Sequence, residues 1–95
     1  MQIDNIVCSE RVEAKLESKH HVTFREARQI LFSRSRIRFA EKGHTVGEDV
    51  YAAFGQTLGG RYLSVFFIYK SARKTAVIIS ARDMSDKERK AYGRK

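Results

Sequence analysis

The spacing of apolar positions divides the chain into a helical front and a stranded remainder, with the change near Arg34. Val12 and Leu16 lie four apart among charges, which predicts a first helix from Ser9 with a narrow apolar stripe. Thr23-Phe24-Arg25-Glu26 reads as a capping box and opens a second helix. There Val22 can staple against Ala27, and Phe24, Ala27, Ile30 and Leu31 form the core face. Lys19-His20-His21 is the tight basic connection between the two helices. From Arg36 the period falls from about 3.6 to 2, so that Ile37 and Phe39 point one way while Arg36 and Arg38 point the other. Residues 41–49, with Gly43 and Gly47, read as a loop, and residues 50–55 as a second strand. Leu58-Gly59-Gly60 reads as a hairpin turn. Residues 62–69 follow as a third strand whose nearly continuous apolar run predicts a central place. Ser71 to Lys74 turns the chain into a fourth strand over 76–81. Ser85-Asp86-Lys87-Glu88 is a further capping box and opens a last helix carrying Glu88, Arg89 and Tyr92. At the other end Ile3, Ile6 and Val7 alternate weakly, as in a short edge strand.

These elements predict a single α+β domain over residues 1–95, with two N-terminal helices packed on a four-stranded antiparallel sheet and a C-terminal helix closing one end. A helix-turn-helix reading competes only for the first 32 residues, and the strands that follow argue against it.

Charge sharpens this picture. Lysine and arginine number 19 against 11 acidic residues, and the excess of +8 is unevenly placed. Residues 1–33 hold five basic and five acidic side chains, whereas the rest holds fourteen basic and six acidic. A neutral front with a cationic remainder favours a polyanionic partner, because phosphate neutralisation releases counterions; an acidic protein would satisfy the same charge. The lone Cys8 permits no internal disulfide and reads as a small buried hydrophobe. With no run of 18 apolar residues and no signal-peptide pattern, a soluble cytoplasmic protein is expected.

The candidate chemistry is acid–base and cationic. His20, His21 and His44 lack metal-ligand spacing, Gly59-Gly60 leads into a strand and cradles no phosphate, and no serine or cysteine triad has local support. No cofactor is expected. RNA carries its own nucleophile, the 2′-hydroxyl, so a ribonuclease needs only a base, a cation for the phosphorane and an acid for the leaving 5′-oxygen. His20 or His21 could serve as base or acid, and Lys19, Arg61 and Arg82 could neutralise phosphate. Tyr92 could stack on a base, donate a proton, or dock its helix on the sheet. Glu88 is either a cap partner or a catalytic carboxylate. The row of Arg34, Arg36 and Arg38 is a solvated face or a docking surface, and Lys87, Lys90, Arg94 and Lys95 add charge at the tail.

With these residues laid out, the chain resembles the BrnT family, small RelE-like ribonuclease toxins of bacterial type II toxin–antitoxin systems. The resemblance lies in Lys19-His20-His21-Val22-Thr23-Phe24-Arg25-Glu26-Ala27, in Gly55-Gln56-Thr57 with Gly60-Arg61-Tyr62-Leu63, and in Ile79-Ser80-Ala81-Arg82 followed by Glu88-Arg89 and Tyr92. It implies a RelE-like fold and a metal-independent endoribonuclease that cleaves mRNA and arrests growth. It also implies a BrnA-like antitoxin with a ribbon-helix-helix DNA-binding domain, the complex repressing its own operon, so that operator DNA is met only through that complex. The catalytic set it implies is His20, Arg82, Glu88 and Tyr92, with Lys19, Arg36, Arg38, Arg61 and Arg89 as substrate-binding residues. Two positions depart from the family pattern: His21 stands where glycine is usual, and Val50 where arginine is common at the start of the second strand, a charge that Arg61 or the strand of Arg36 and Arg38 could replace. The alternative, of a different class, is a non-catalytic basic module that binds RNA or protein.

Overall fold

A computed structural model of the chain describes residues 1–93; Arg94 and Lys95, counted above among the tail cations, lie outside the described residues. Strand β1 (Asn5–Val7) leads into helices α1 (Glu10–His20) and α2 (Phe24–Phe32), then β2 (Arg36–Glu41), β3 (Val50–Gln56), β4 (Tyr62–Lys70), β5 (Thr75–Asp83) and helix α3 (Asp86–Gly93). A single 3-10 turn, Ser71–Arg73, joins β4 to β5. Among the described residues no helix is long and apolar enough to cross a membrane.

Local chemistry explains where the helices start and stop. Ser9 accepts the Val12 amide at the N-terminus of α1, whose first turn holds Glu10 and Glu13 and whose last holds Lys19 and His20, as the helix dipole favours. Its end is turned by His21 in the left-handed region, φ 54°. A C-cap of this kind suits glycine, because its conformation costs an L-residue energy. The reciprocal capping box of Thr23 and Glu26 opens α2, and Ala27, Ile30 and Leu31 are buried on its inner face.

The sheet corrects the expectation of four antiparallel strands. Its order is β1-β5-β4-β3-β2; β2 to β5 form the antiparallel meander, but β1 adds a fifth strand parallel to β5, with Ile6 opposite Ala76. Parallel partners are far apart in sequence, so alternation over eight residues cannot reveal which strand it joins. As its apolar run suggested, β4 is central.

Register separates two faces. Ile37, Ala53, Val65 and Ala81 are successive partners across four strands, as are Phe39, Tyr51, Phe67 and Ile78, and this face meets α1 and α2. With Leu16, Val22, Ile30 and Leu63 it forms the core, in which Phe67 is fully buried. A side chain of that size contributes roughly 1.5–3 kcal/mol on burial. On the opposite face the partners are Arg36, Phe54, Ser64 and Arg82, and beside them Arg38, Ala52, Phe66 and Ser80. Helix α3 lies across this second face, its Glu88 against Ser64 and Arg82, rather than closing an end of the sheet as its position in sequence suggested. The short connection through Met84, itself buried, folds it back there.

Candidate RNA-binding and active site

The capping box of α3 does more than start a helix. Ser85 Oγ accepts the Glu88 amide at 3.1 Å, and Glu88 Oε1 accepts the Ser85 amide at 2.9 Å. The same carboxylate takes Arg82 in a two-pronged bond, Nη1 to Oε1 at 2.7 Å and Nη2 to Oε2 at 2.9 Å, and a bond from Ser64 Oγ at 3.0 Å. Four donors therefore converge on one carboxylate. The Arg82 bonds above all, then the Ser85 amide and the Ser64 hydroxyl, pull its pKa down to about 2 against the opposing effect of burial. A carboxylate so stabilised is a poor proton acceptor near neutral pH. What it does well is hold a guanidinium. Arg82 lies over the Phe66 ring at 5.2 Å and gives its remaining Nη1 proton to the Asp83 carbonyl. Its Nε–H and one Nη2–H have no hydrogen-bond partner among the described residues, so a fixed cation keeps donors to spare.

Alongside runs a ladder of cations and rings. Arg89 sits over Tyr62 at 4.1 Å, Tyr62 meets Tyr92 edge-on at 6.0 Å, and Arg36 sits over Tyr92 at 5.6 Å while its Nη1 reaches the Ala91 carbonyl. A small cavity of about 50 Å³ lies between Arg36, Arg38, Phe54, Glu88, Ala91 and Tyr92. Arginine planes and aromatic rings on one face form the kind of surface on which splayed nucleotides stack while their phosphates are paired.

Of the residues singled out in the sequence, Arg36, Arg38, Arg82, Glu88, Arg89 and Tyr92 are brought together here. Lys19, His20 and Arg61 are not. Arg61 binds Asp83 through Nε at 2.8 Å, Glu26 through Nη1 at 3.3 Å, the His20 carbonyl through Nη2 at 2.9 Å and the His21 carbonyl through Nη1. Asp83 pairs in register with buried Leu63, so this cluster belongs to the helix-covered face. The Arg61 bond, reinforced by its charge and that of the two histidines, lowers the Asp83 pKa. Arg61 thus ties the α1–α2 corner to the sheet with most of its donors occupied. Lys19 and His20 lie in the last turn of α1, at that corner. Val50 stands on the same face as Ala52 and Phe54, the face that carries Arg36 and Arg38 and not Arg61.

Sequence reasoning missed Ser64, Phe54 and Phe66. Ser64 did carry a signal, as the single polar residue inside the apolar run Tyr62–Ile68. It is fully buried, and its hydroxyl needs the partner that Glu88 provides.

Comparison with known proteins accords with this geometry. Residues 10–88 match the family model described as the ribonuclease toxin BrnT of type II toxin–antitoxin systems. The crystal structure of the Brucella abortus ribonuclease toxin BrnT, at 1.1 Å, is similar in fold: TM-score 0.63, 18% identity, covering 86% of this chain and 97% of that one. No curated protein matches the chain. With more than half of its residues inside the family model, the chain belongs to the BrnT family of ribonuclease toxins of type II toxin–antitoxin systems.

Proposed function

We propose that the chain is an endoribonuclease that cleaves mRNA without a metal ion and so arrests growth, and that its working surface is the α3-covered face of the sheet. The observation that carries this reading is the Arg82 guanidinium fixed by Glu88, a carboxylate that also lines the cavity of Arg36, Arg38 and Tyr92. In the reaction the 2′-hydroxyl gives its proton to solvent water, its oxygen attacks the adjacent phosphorus, and the bond to the 5′-oxygen breaks as that oxygen takes a proton from Tyr92. The products are a 2′,3′-cyclic phosphate and a 5′-hydroxyl. Arg82, Arg36 and Arg38 stabilise the charge that accumulates on the phosphorane, and preorganised cations of this kind act most strongly when they need no reorientation. Tyr92, whose ring lies under the Arg36 guanidinium, is the proton donor for the leaving oxygen. Glu88 serves by positioning Arg82. His20, which the family resemblance places in catalysis, lies at the α1–α2 corner on the other face and has no part in this reading. The partner is a BrnA-like antitoxin with a ribbon-helix-helix domain, through which alone operator DNA is engaged.

Arg82→Ala tests the site. We expect loss of RNA cleavage by about 100-fold or more, with growth arrest abolished and the thermal unfolding of the purified variant still cooperative. An equally toxic variant at equal expression would place the chemistry elsewhere. An intact chain that binds RNA yet releases no cyclic phosphate would favour the non-catalytic binding module.

A further inference from the structure

The molecule carries an apolar surface, reaching the β1 and β2 edges of the sheet, that the proposed site does not use. Phe32, the last residue of α2, is 51% exposed, and exposed Phe39 on β2 and Val7 on β1 stand on the two edge strands. Two grooves meet at the Phe32 ring. One, about 540 Å³, runs past Ile37, Phe39 and Tyr51, and the other, about 720 Å³, runs past Val7 and Val77. Ser35 Oγ, buried at the first groove, has no hydrogen-bond partner among the described residues.

The surroundings of these grooves are cationic. Arg28 lies over the Phe32 ring at 5.4 Å, Arg25 flanks it, and Lys70 and Arg73 line the second groove. Arg25, Arg28 and Arg73 form no salt bridge among the described residues. Asp4 is the one carboxylate lining that groove. A second copy of this chain would bring the same cations against these, so self-association here is opposed by like charge. Nucleic acid would meet the cations but leave the second groove, lined by Ile6, Val7 and Val77, unfilled.

We infer that this surface receives an acidic, amphipathic segment of the antitoxin, whose apolar side chains enter the grooves on either side of Phe32 while its carboxylates meet Arg25, Arg28 and Arg73. The inference rests on membership of a toxin–antitoxin family for the existence of the partner, and on charge and shape for where it docks. Strand β2 links the two faces, since Ile37 and Phe39 point toward this surface while Arg36 and Arg38 point toward the proposed site. A segment anchored on Phe39 reaches those arginines by crossing one strand edge.

The test uses the intact chain and its cognate antitoxin, with affinity measured by titration. Phe32→Glu, at an exposed position, should weaken binding by about 30-fold or more, as expected for an apolar anchor. The double reversal Arg28→Glu with Arg73→Glu should weaken it and flatten its salt dependence. Both variants should cleave RNA at the intact chain's rate. Affinity within about threefold of the intact chain for Phe32→Glu, with the fold shown intact by its melting curve, would overturn the inference. So would amide protection by the antitoxin confined to the Arg82 face, self-association lost on Phe32→Glu, cross-linking of RNA to Phe32, or no binding of that protein to the intact chain. Failure of the ribonuclease reading is separate, because it would appear as an Arg82→Ala variant that loses nothing while these affinities still respond.

Discussion

Replacing Glu88 by glutamine isolates what the carboxylate does. The amide keeps the size of the side chain and one oxygen, so Ser85 N–H, Ser64 Oγ–H and Arg82 Nη1 retain an acceptor. The second oxygen, which takes Arg82 Nη2 at 2.9 Å, becomes an NH₂ group facing another donor, and the charge is lost. A hydrogen bond to a charged group is worth about 1.5–3 kcal/mol. Arg82 is 36% exposed and Glu88 22%, so solvent screening reduces that to roughly 1–2 kcal/mol of stability near neutral pH. For a domain of this size the melting temperature should fall by about 4–16 °C. The pH dependence carries the sign. The carboxyl of Glu88 is lowered from 4.5 to about 2 by Arg82, so its contribution is fully present above pH 4.5 and is lost as pH falls toward 2. Chemical unfolding of both proteins at pH 7 and in steps down to pH 2 should therefore show a gap that closes below pH 4.5. RNA cleavage should fall through kcat with KM little changed, because Arg82 is still present but no longer held. A gap of equal size at pH 2 and pH 7 would refute the argument that charge holds this pair, and unchanged kcat would refute the positioning role.

Two further substitutions test other parts of the reading. His21→Gly should stabilise the domain by about 1 kcal/mol, the relief of the left-handed backbone being partly offset by the freer unfolded chain, and thermal melts should rise by about 4–8 °C. A lower melting temperature would show that the His21 side chain matters more than its backbone. Arg61→Ala should destabilise by about 2–3 kcal/mol, because it strips partners from Asp83, Glu26 and the carbonyls of His20 and His21 at once. RNA affinity measured where the variant remains folded should stay near that of the intact chain; a large loss would return Arg61 to the substrate-binding set.

Local chemistry alone settled most of the elements. Capping boxes at Thr23 and Ser85, the change of period at Arg36 and the turn at Gly60 are short-range signals, written within a few residues of the structure they specify. The apolar run of β4 likewise disclosed its central place, since only a strand covered on both sides needs so little polarity. The site was legible in part for the same reason: Arg82 and Glu88 are six residues apart, across one strand end and one helix start. Long-range pairing was not. That β1 lies parallel to β5, that α3 crosses the second face, and that Arg36 shares a row with Ser64 and Arg82 all depend on register between distant segments, and a shift of one residue would turn each side chain to the opposite face. Tertiary structure also separated two arginines that look alike in sequence. Arg82 faces the α3-covered side with donors to spare, whereas Arg61 faces the helices and is occupied by two carboxylates and two carbonyls, because strand alternation and the α1–α2 corner decide which partners each can reach.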